Sequence, residues 1–225
     1  MSGVRERARA ATTAEIIRLA REQMDAEGAA ALSLRAIARD MGMVSSGIYR
    51  YYASREELLT ALIIDSYERL GAAAEEADSG VRRRGDHRAR WRAMAGAIRQ
   101  FAVDSPSEWA LLFGTPVPGY AAPQDTIGPA SRYTLVLVSL LGDIARSGVH
   151  HEFAIPRAMR ADLARLHDVF GLDVPDTTMA LGLTAWSAIM GAVSLELFGH
   201  LHNVIEHPGA LFDTVVDHYG VILST

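Results

Sequence analysis

Within seven residues the chain places Ser45, Ser46, Gly47, Tyr49, Arg50 and Tyr51, a set rich in hydrogen-bond donors and poor in acids. Small residues at 45–47 let a backbone come close to a partner, and N–H groups exposed at the start of a short helix favour an anion. Two tyrosine hydroxyls and a guanidinium then offer donors to phosphate oxygens, and Arg50 can alternatively fork onto a guanine edge. The spacing puts Ile48 and Tyr52, four apart, on the buried side, whereas Tyr49 and Tyr51 are assigned to phosphate contact.

Such a set needs a scaffold, and the flanking residues provide one. Ser33 is a natural N-cap for a short helix over 34–41 whose apolar stripe is Leu34, Ile37, Ala38 and Met41, and Gly42 stops it. The link 42–44 leads into a second short helix over 45–52, and Ser54 then caps a long helix opened by Glu56 and Glu57. Two short helices at this distance form a helix-turn-helix, in which the second enters the major groove and the first crosses the backbone. Ser33 and Arg35, at the start of the first, therefore join the candidate contacts. Ahead of them, 12–27 reads as a helix capped by Thr12 or Thr13 and ended by Gly28.

Charge agrees only after the chain is divided. The net charge is −5, but residues 1–60 hold nine Arg against eight acids and the remainder thirteen Arg against nineteen acids, so any nucleic-acid surface is local and lies at the front. Every basic residue is Arg, a bias that codon composition explains. With 49% hydrophobic residues the 225-residue chain can bury a large core, and no cysteine is present for disulfide, thiolate or metal-thiolate chemistry. The Arg-studded start carries no signal-peptide pattern, which points to the cytoplasm.

Beyond residue 60 the periodicity is helical throughout and no strand pattern occurs. Helices are expected with Trp91, Met94, Ile98 and Phe101 inward, from Pro106 with Trp109, Leu112 and Phe113, over 133–144, over 155–170 with Met159, Leu163, Leu166 and Phe170 inward, and over 210–223. Residues 80–86 read as a linker between helices, and its run Arg82, Arg83, Arg84 as solvated. The segment 114–128, with three prolines and three glycines, reads as an irregular loop. Residues 177–195 contain no charge over nineteen positions, yet the polar and small residues Thr184, Ser187, Gly182, Gly191 and Ser194 favour a buried helix over a membrane span. Two large apolar helices at the chain end call for a partner subunit.

The stretch SLRAIARDMGMVSSGIYRYYASREELL, residues 33–59, resembles the DNA-binding domain of TetR-type repressors. Ala38 and Gly42 match the family's Ala-x-x-x-Gly turn. Ile48, Tyr49, Arg50, Tyr51 and Tyr52 match its Leu-Tyr-x-His-Phe box, with Tyr51 in place of His. Ser54, Arg55, Glu56, Glu57 and Leu58 match Ser-Lys-Glu-Glu-Leu, which implies a phosphate-contact role for Arg55. Val44 stands where a capping Ser is common, so either Ser45 caps or the helix starts one residue late. Trp186 to Gly191, followed by Ser194-Leu195-Glu196-Leu197 and Gly199-His200, is similar to a subgroup with a Trp-x-x-x-His-Gly motif, with Met190 in place of its His.

The resemblance implies an all-α chain: a three-helix DNA-binding domain over 1–60 and a helical effector-binding and dimerisation domain over 61–225. It implies a homodimer on a palindromic double-stranded operator, with the last two helices paired across a two-fold axis. A small organic effector in the preceding helices would spread the reading heads and relieve repression. Trp91, Phe101, Trp109, Phe113, Tyr133, Trp186 and Met190 are the candidate effector contacts, because such pockets are apolar with aromatic walls; the Tyr133 hydroxyl also needs a partner. No nucleophile elbow, phosphate-cradling loop or paired-His helix occurs, so neither an enzyme nor a cofactor is expected. His200, His202, Glu206 and His207, with His150 and His151, leave a metal-responsive regulator as the alternative, beside an activator of the same fold.

Overall fold

The computed structural model describes residues 2–171 and 173–225, and every regular element among them is helical. Packing divides the chain into two compact units, residues 1–69 with 105–130, and residues 70–104 with 131–225. The division expected at residue 60 follows the motif; the packing boundary lies inside a continuous helix, and a later segment returns to the first unit.

In the first unit α1 spans Ser2–Glu27, α2 Leu34–Asp40, α3 Ser45–Ile48, α4 begins at the start of Arg55–Gly80, and α6 is Pro106–Phe113. Helix α1 starts ten residues ahead of the expected cap. Nothing in the Arg- and Ala-rich run breaks it, and the Thr12 and Thr13 hydroxyls donate back to the carbonyls of Ala8 and Arg9 inside the helix. Gly28, at φ 81°, ends it.

Ile16, Ala20, Leu34, Ile37, Ala38, Ile48, Leu58 and Leu62 form one buried cluster, so the short helices α2 and α3 share with α1 and α4 a core they could not make alone. Met41, expected in that stripe, is only half-buried. Beside the cluster Glu108 is buried, accepts from the Ser66 hydroxyl at 2.6 Å and is ion-paired with Arg69 and Arg21. A buried carboxylate is tolerable when its charge is met in this way.

The second unit holds the remainder of α4, α5 (His87–Asp104), α7 (Ile127–Arg146, from Ser131 onward), α8 (Arg157–Phe170), α9 (Asp176–Leu197) and α10 (Pro208–Ser224). Helix α5 packs on both α9 and α10. Arg90 of α5 is wholly buried between Asp78 at 2.7 Å and Asp143 at 2.6 Å. Burial pushes the Asp143 carboxyl up, but hydrogen bonds from Arg90 and Arg146 outweigh it and hold the group below the usual aspartate range. Arg99 meets Glu196 of α9 through two bonds of 2.9 and 2.6 Å.

Helix α7 starts six residues earlier than expected, since Pro129 falls in its first turn, where a missing N–H costs nothing. In α8, Leu163 is buried, whereas Met159, Leu166 and Phe170 remain partly exposed. Helix α9 is long and apolar enough to cross a membrane by length and composition alone, and half of its most apolar window is buried inside the protein.

Candidate nucleic-acid interface

The reading turn is built by how α2 stops. Gly42 takes φ 66°, and two bonds close the helix end: Gly42 N–H to the Arg39 carbonyl at 3.0 Å and Met43 N–H to the Ala38 carbonyl at 2.8 Å. This pairing satisfies the last carbonyls of α2 and reverses the chain within two residues; glycine suits a left-handed position at which other residues are strained. Val44 is the N-cap of α3 and makes no side-chain capping bond, so the helix begins at Ser45 without a hydroxyl cap. Gly47 matters for space: a Cβ there would lie 3.2 Å from Met43 Cε.

Helix α3 is shorter than the expected 45–52. After Ile48 the chain tightens, with Tyr51 N–H on the Ile48 carbonyl at 2.9 Å and Arg50 N–H on the Gly47 carbonyl at 3.3 Å. Ile48 is fully buried and anchors the turn from below. Ser45, Ser46, Tyr49 and Arg50 are exposed and share the turn's outer side, and Arg35 of α2 is exposed as well.

Three other candidates are placed differently. Ser33 is half-buried and its hydroxyl caps α2, accepting from Ala36 N–H at 3.3 Å, while its own N–H donates to Gln23 Oε1 at 2.8 Å. Tyr51 is half-buried against the core, with the Arg9 guanidinium 5.6 Å from its ring centre. Arg55 gives Nε to the Leu32 carbonyl at 3.2 Å and Nη2 to those of Ala29 and Ala30 at 2.9 and 3.1 Å. It ties the start of α4 to the segment ahead of α2, leaving Nη1 available to a partner.

The electrostatics of this unit are decided by which arginines are already spent. Arg18 is paired with Glu15 and Glu22, Arg21 with Asp65, and Arg39 with Asp40. Arg5, Arg7, Arg9, Arg35 and Arg50 have no carboxylate partner among the described residues. A front segment of nearly balanced charge thus leaves the guanidinium groups of Arg9, Arg35 and Arg50 without a carboxylate near the turn, among the described residues. Sequence reasoning did not place Arg9 beside the turn; the unbroken helical run ahead of Thr12 was the signal available.

The seven aromatic and methionine candidates divide between the two units. Trp109 and Phe113 belong to the first unit, 4.5 Å apart between ring centres, and Trp109 is fully buried. In the second unit Trp91 is fully buried and donates its indole N–H to the Val216 carbonyl at 2.8 Å, fastening α10 to α5. Phe101 and Tyr133 are buried, and Met190 is half-buried.

Trp186 lines a cavity of about 160 Å³ between α7, α8 and α9, with Leu137, Leu141, Leu166, Phe170 and Leu183 as further walls. Its indole N–H is buried without an acceptor. Gly182 lets α7 and α9 approach, since a Cβ there would collide with the Leu141 side chain. His151, by contrast, has both ring nitrogens engaged, with the Thr178 hydroxyl at 3.1 Å and the Ile222 carbonyl at 3.0 Å. Among the described residues no three His, Asp or Glu side chains converge on a point where a metal could sit, so the spacing of His200, His202, Glu206 and His207 is not realised as a cluster.

Comparison with known proteins follows the same division. Residues 16–62 match the model for bacterial regulatory proteins of the tetR family, and residues 91–219 match the tetracyclin repressor-like C-terminal domain. The chain belongs to the TetR family. The HTH-type transcriptional regulator Rv1816 of Mycobacterium tuberculosis is 40% identical over 94% of this chain and 92% of that protein, and a Mycobacterium bovis regulator, Mb1846, matches equally. The crystal structure of regulatory protein SCO4313 superposes with a TM-score of 0.80 at 33% identity, covering 95% of this chain and 97% of that one. A protein from Rhodococcus sp. RHA1, at 20% identity and a TM-score of 0.73 over 95% of each chain, shares the fold. This TetR-family chain is therefore a transcriptional regulator with a helix-turn-helix DNA-binding domain. The N-terminal family match begins at Ile16, which leaves the first turns of α1 outside it.

Proposed function

We propose that the regulator is a homodimeric repressor in the cytoplasm that binds a palindromic operator through Ser45, Ser46, Gly47, Tyr49 and Arg50 and is released by a small hydrophobic effector. The observation that carries this reading is the outer side of the reading turn, where small residues, a tyrosine and an unpaired arginine stand exposed above the buried Ile48. Arg35 and the spare Nη1 of Arg55 add phosphate contacts, while Ser33 and Tyr51 act by holding the helices that present them.

Dimerisation through the C-terminal helices accords with the exposed apolar side chains of Leu195, Phe198, Val204 and Val221, which a second copy would cover. Effector binding within residues 61–225 accords with the apolar cavity beside Trp186, whose walls carry no charge. Similarity to the Trp-x-x-x-His-Gly subgroup rests on Trp186 and Gly191, and Met190 makes the corresponding wall apolar.

Footprinting on an operator selected from random duplexes tests the reading. Two protected half-sites related by a two-fold axis, roughly 34–36 Å apart or a multiple of that, are expected. A single asymmetric half-site would refute the dimeric reader.

A further inference from the structure

Helix α1 extends well beyond what the reading turn needs for support. Its buried contacts begin at Ile16, yet the helix is formed from Ser2, and residues 3–11 are exposed along their whole length. This overhang is not loose: Arg9 Nη2 reaches the carbonyl of Arg50 at 3.4 Å and its guanidinium lies 5.6 Å from the Tyr51 ring. Arg9 of α1 thereby lies beside the end of the reading turn. Arg5 stands one helical turn further out on nearly the same face, about 6 Å along the axis. Among the described residues neither Arg5 nor Arg9 has a carboxylate partner; Glu6, the neighbouring acid, pairs with neither.

We infer that the overhang of α1 is a second DNA-contacting element, with Arg5 and Arg9 gripping phosphates that flank the groove occupied by the reading turn. This rests on the proposed DNA-reading role of the turn. An arginine held beside Arg50 sits where the backbone of a duplex must pass when the turn enters the major groove, and a guanidinium can serve the Arg50 carbonyl and a phosphate through different N–H groups. Arg7 differs. It lies about 200° round the helix from both, and its Nε donates to the Gly3 carbonyl at 2.9 Å. A disordered basic tail would use all three arginines alike, whereas a fixed helix uses two.

The test measures binding of the full chain to a selected operator duplex across a salt series. Arg5→Ala with Arg9→Ala should lower the slope of log K against log salt by about two and weaken binding on the order of tenfold at low salt. Arg5→Lys with Arg9→Lys should keep most of the slope, and Arg7→Ala should keep all of it. Alanine at these exposed positions preserves the helix. An unchanged slope in the double alanine variant overturns the second element while leaving the reading turn intact, and so does an equal loss from Arg7→Ala. A wild-type protein with no affinity for duplex DNA overturns the underlying reading instead, and this inference with it.

Discussion

Arginine is used differently in the second unit and beside the reading turn. In the second, Arg84, Arg90, Arg92, Arg99, Arg132, Arg146 and Arg165 each meet a carboxylate. Beside the reading turn, Arg35 and Arg50 meet none among the described residues. The same residue is paired with a carboxylate in one region, joining helices at Arg90, Arg92, Arg99 and Arg132, and kept available in the other. Net charge by segment hides this, because what a DNA phosphate encounters is the guanidinium left over after internal pairing, not the arithmetic of the chain.

The contrast breaks most visibly at Arg90. Replacing it with Met leaves Asp78 and Asp143 facing each other without the buried cation, so stability should fall by about 3–5 kcal/mol in denaturant unfolding. A loss under about 1 kcal/mol would mean that this guanidinium is as dispensable as a surface one. The same network predicts a pH signature. Because the folded Asp143 carboxyl lies below its ordinary range, its contribution is complete above that range and disappears as pH falls through the folded value. The acid-induced decline measured by unfolding below about pH 4 should therefore be shallower in Arg90→Met.

Arg50→Ala is the counterpart in the first unit. It should weaken operator binding by about 1–3 kcal/mol and leave the unfolding free energy unchanged within error. Arg55 sharpens the comparison, since it lies near the reading turn but spends Nε and Nη2 on carbonyls. Arg55→Ala should cost about 1–2 kcal/mol of stability and lower the salt slope of DNA binding by no more than about one. The smallest effect belongs to Arg165, whose exposed pair with Asp162 is worth about 0–1 kcal/mol; thermal melting of Arg165→Ala should be nearly that of wild type.

What could be read in advance was local. Ser33 as a cap, Gly42 as a stop and Ser54 as the start of α4 all act within four residues of themselves, so their chemistry is written in adjacent letters. Thr12 misled because a threonine ahead of an apolar run resembles a cap, and only the helix continuing to Ser2 shows it bonding backward. The pairs that set the electrostatics join positions far apart, Arg21 with Asp65 and Arg90 with Asp143, and no spacing announces them. Likewise Trp91 carries the composition of a pocket wall but is used as a pin to Val216. The cavity is walled mostly by aliphatic and aromatic side chains of α7, α8 and α9, among them Leu137, Leu141, Leu166 and Leu183, which in sequence look like any core residues.

The account turns on the reading turn entering the major groove, and dimethyl sulfate probing of guanine N7 on the selected operator examines that groove directly. Protection at guanines in both half-sites, lost at the same positions with Arg50→Ala, is the expected result. Unprotected N7 positions under a bound wild-type protein would contradict it.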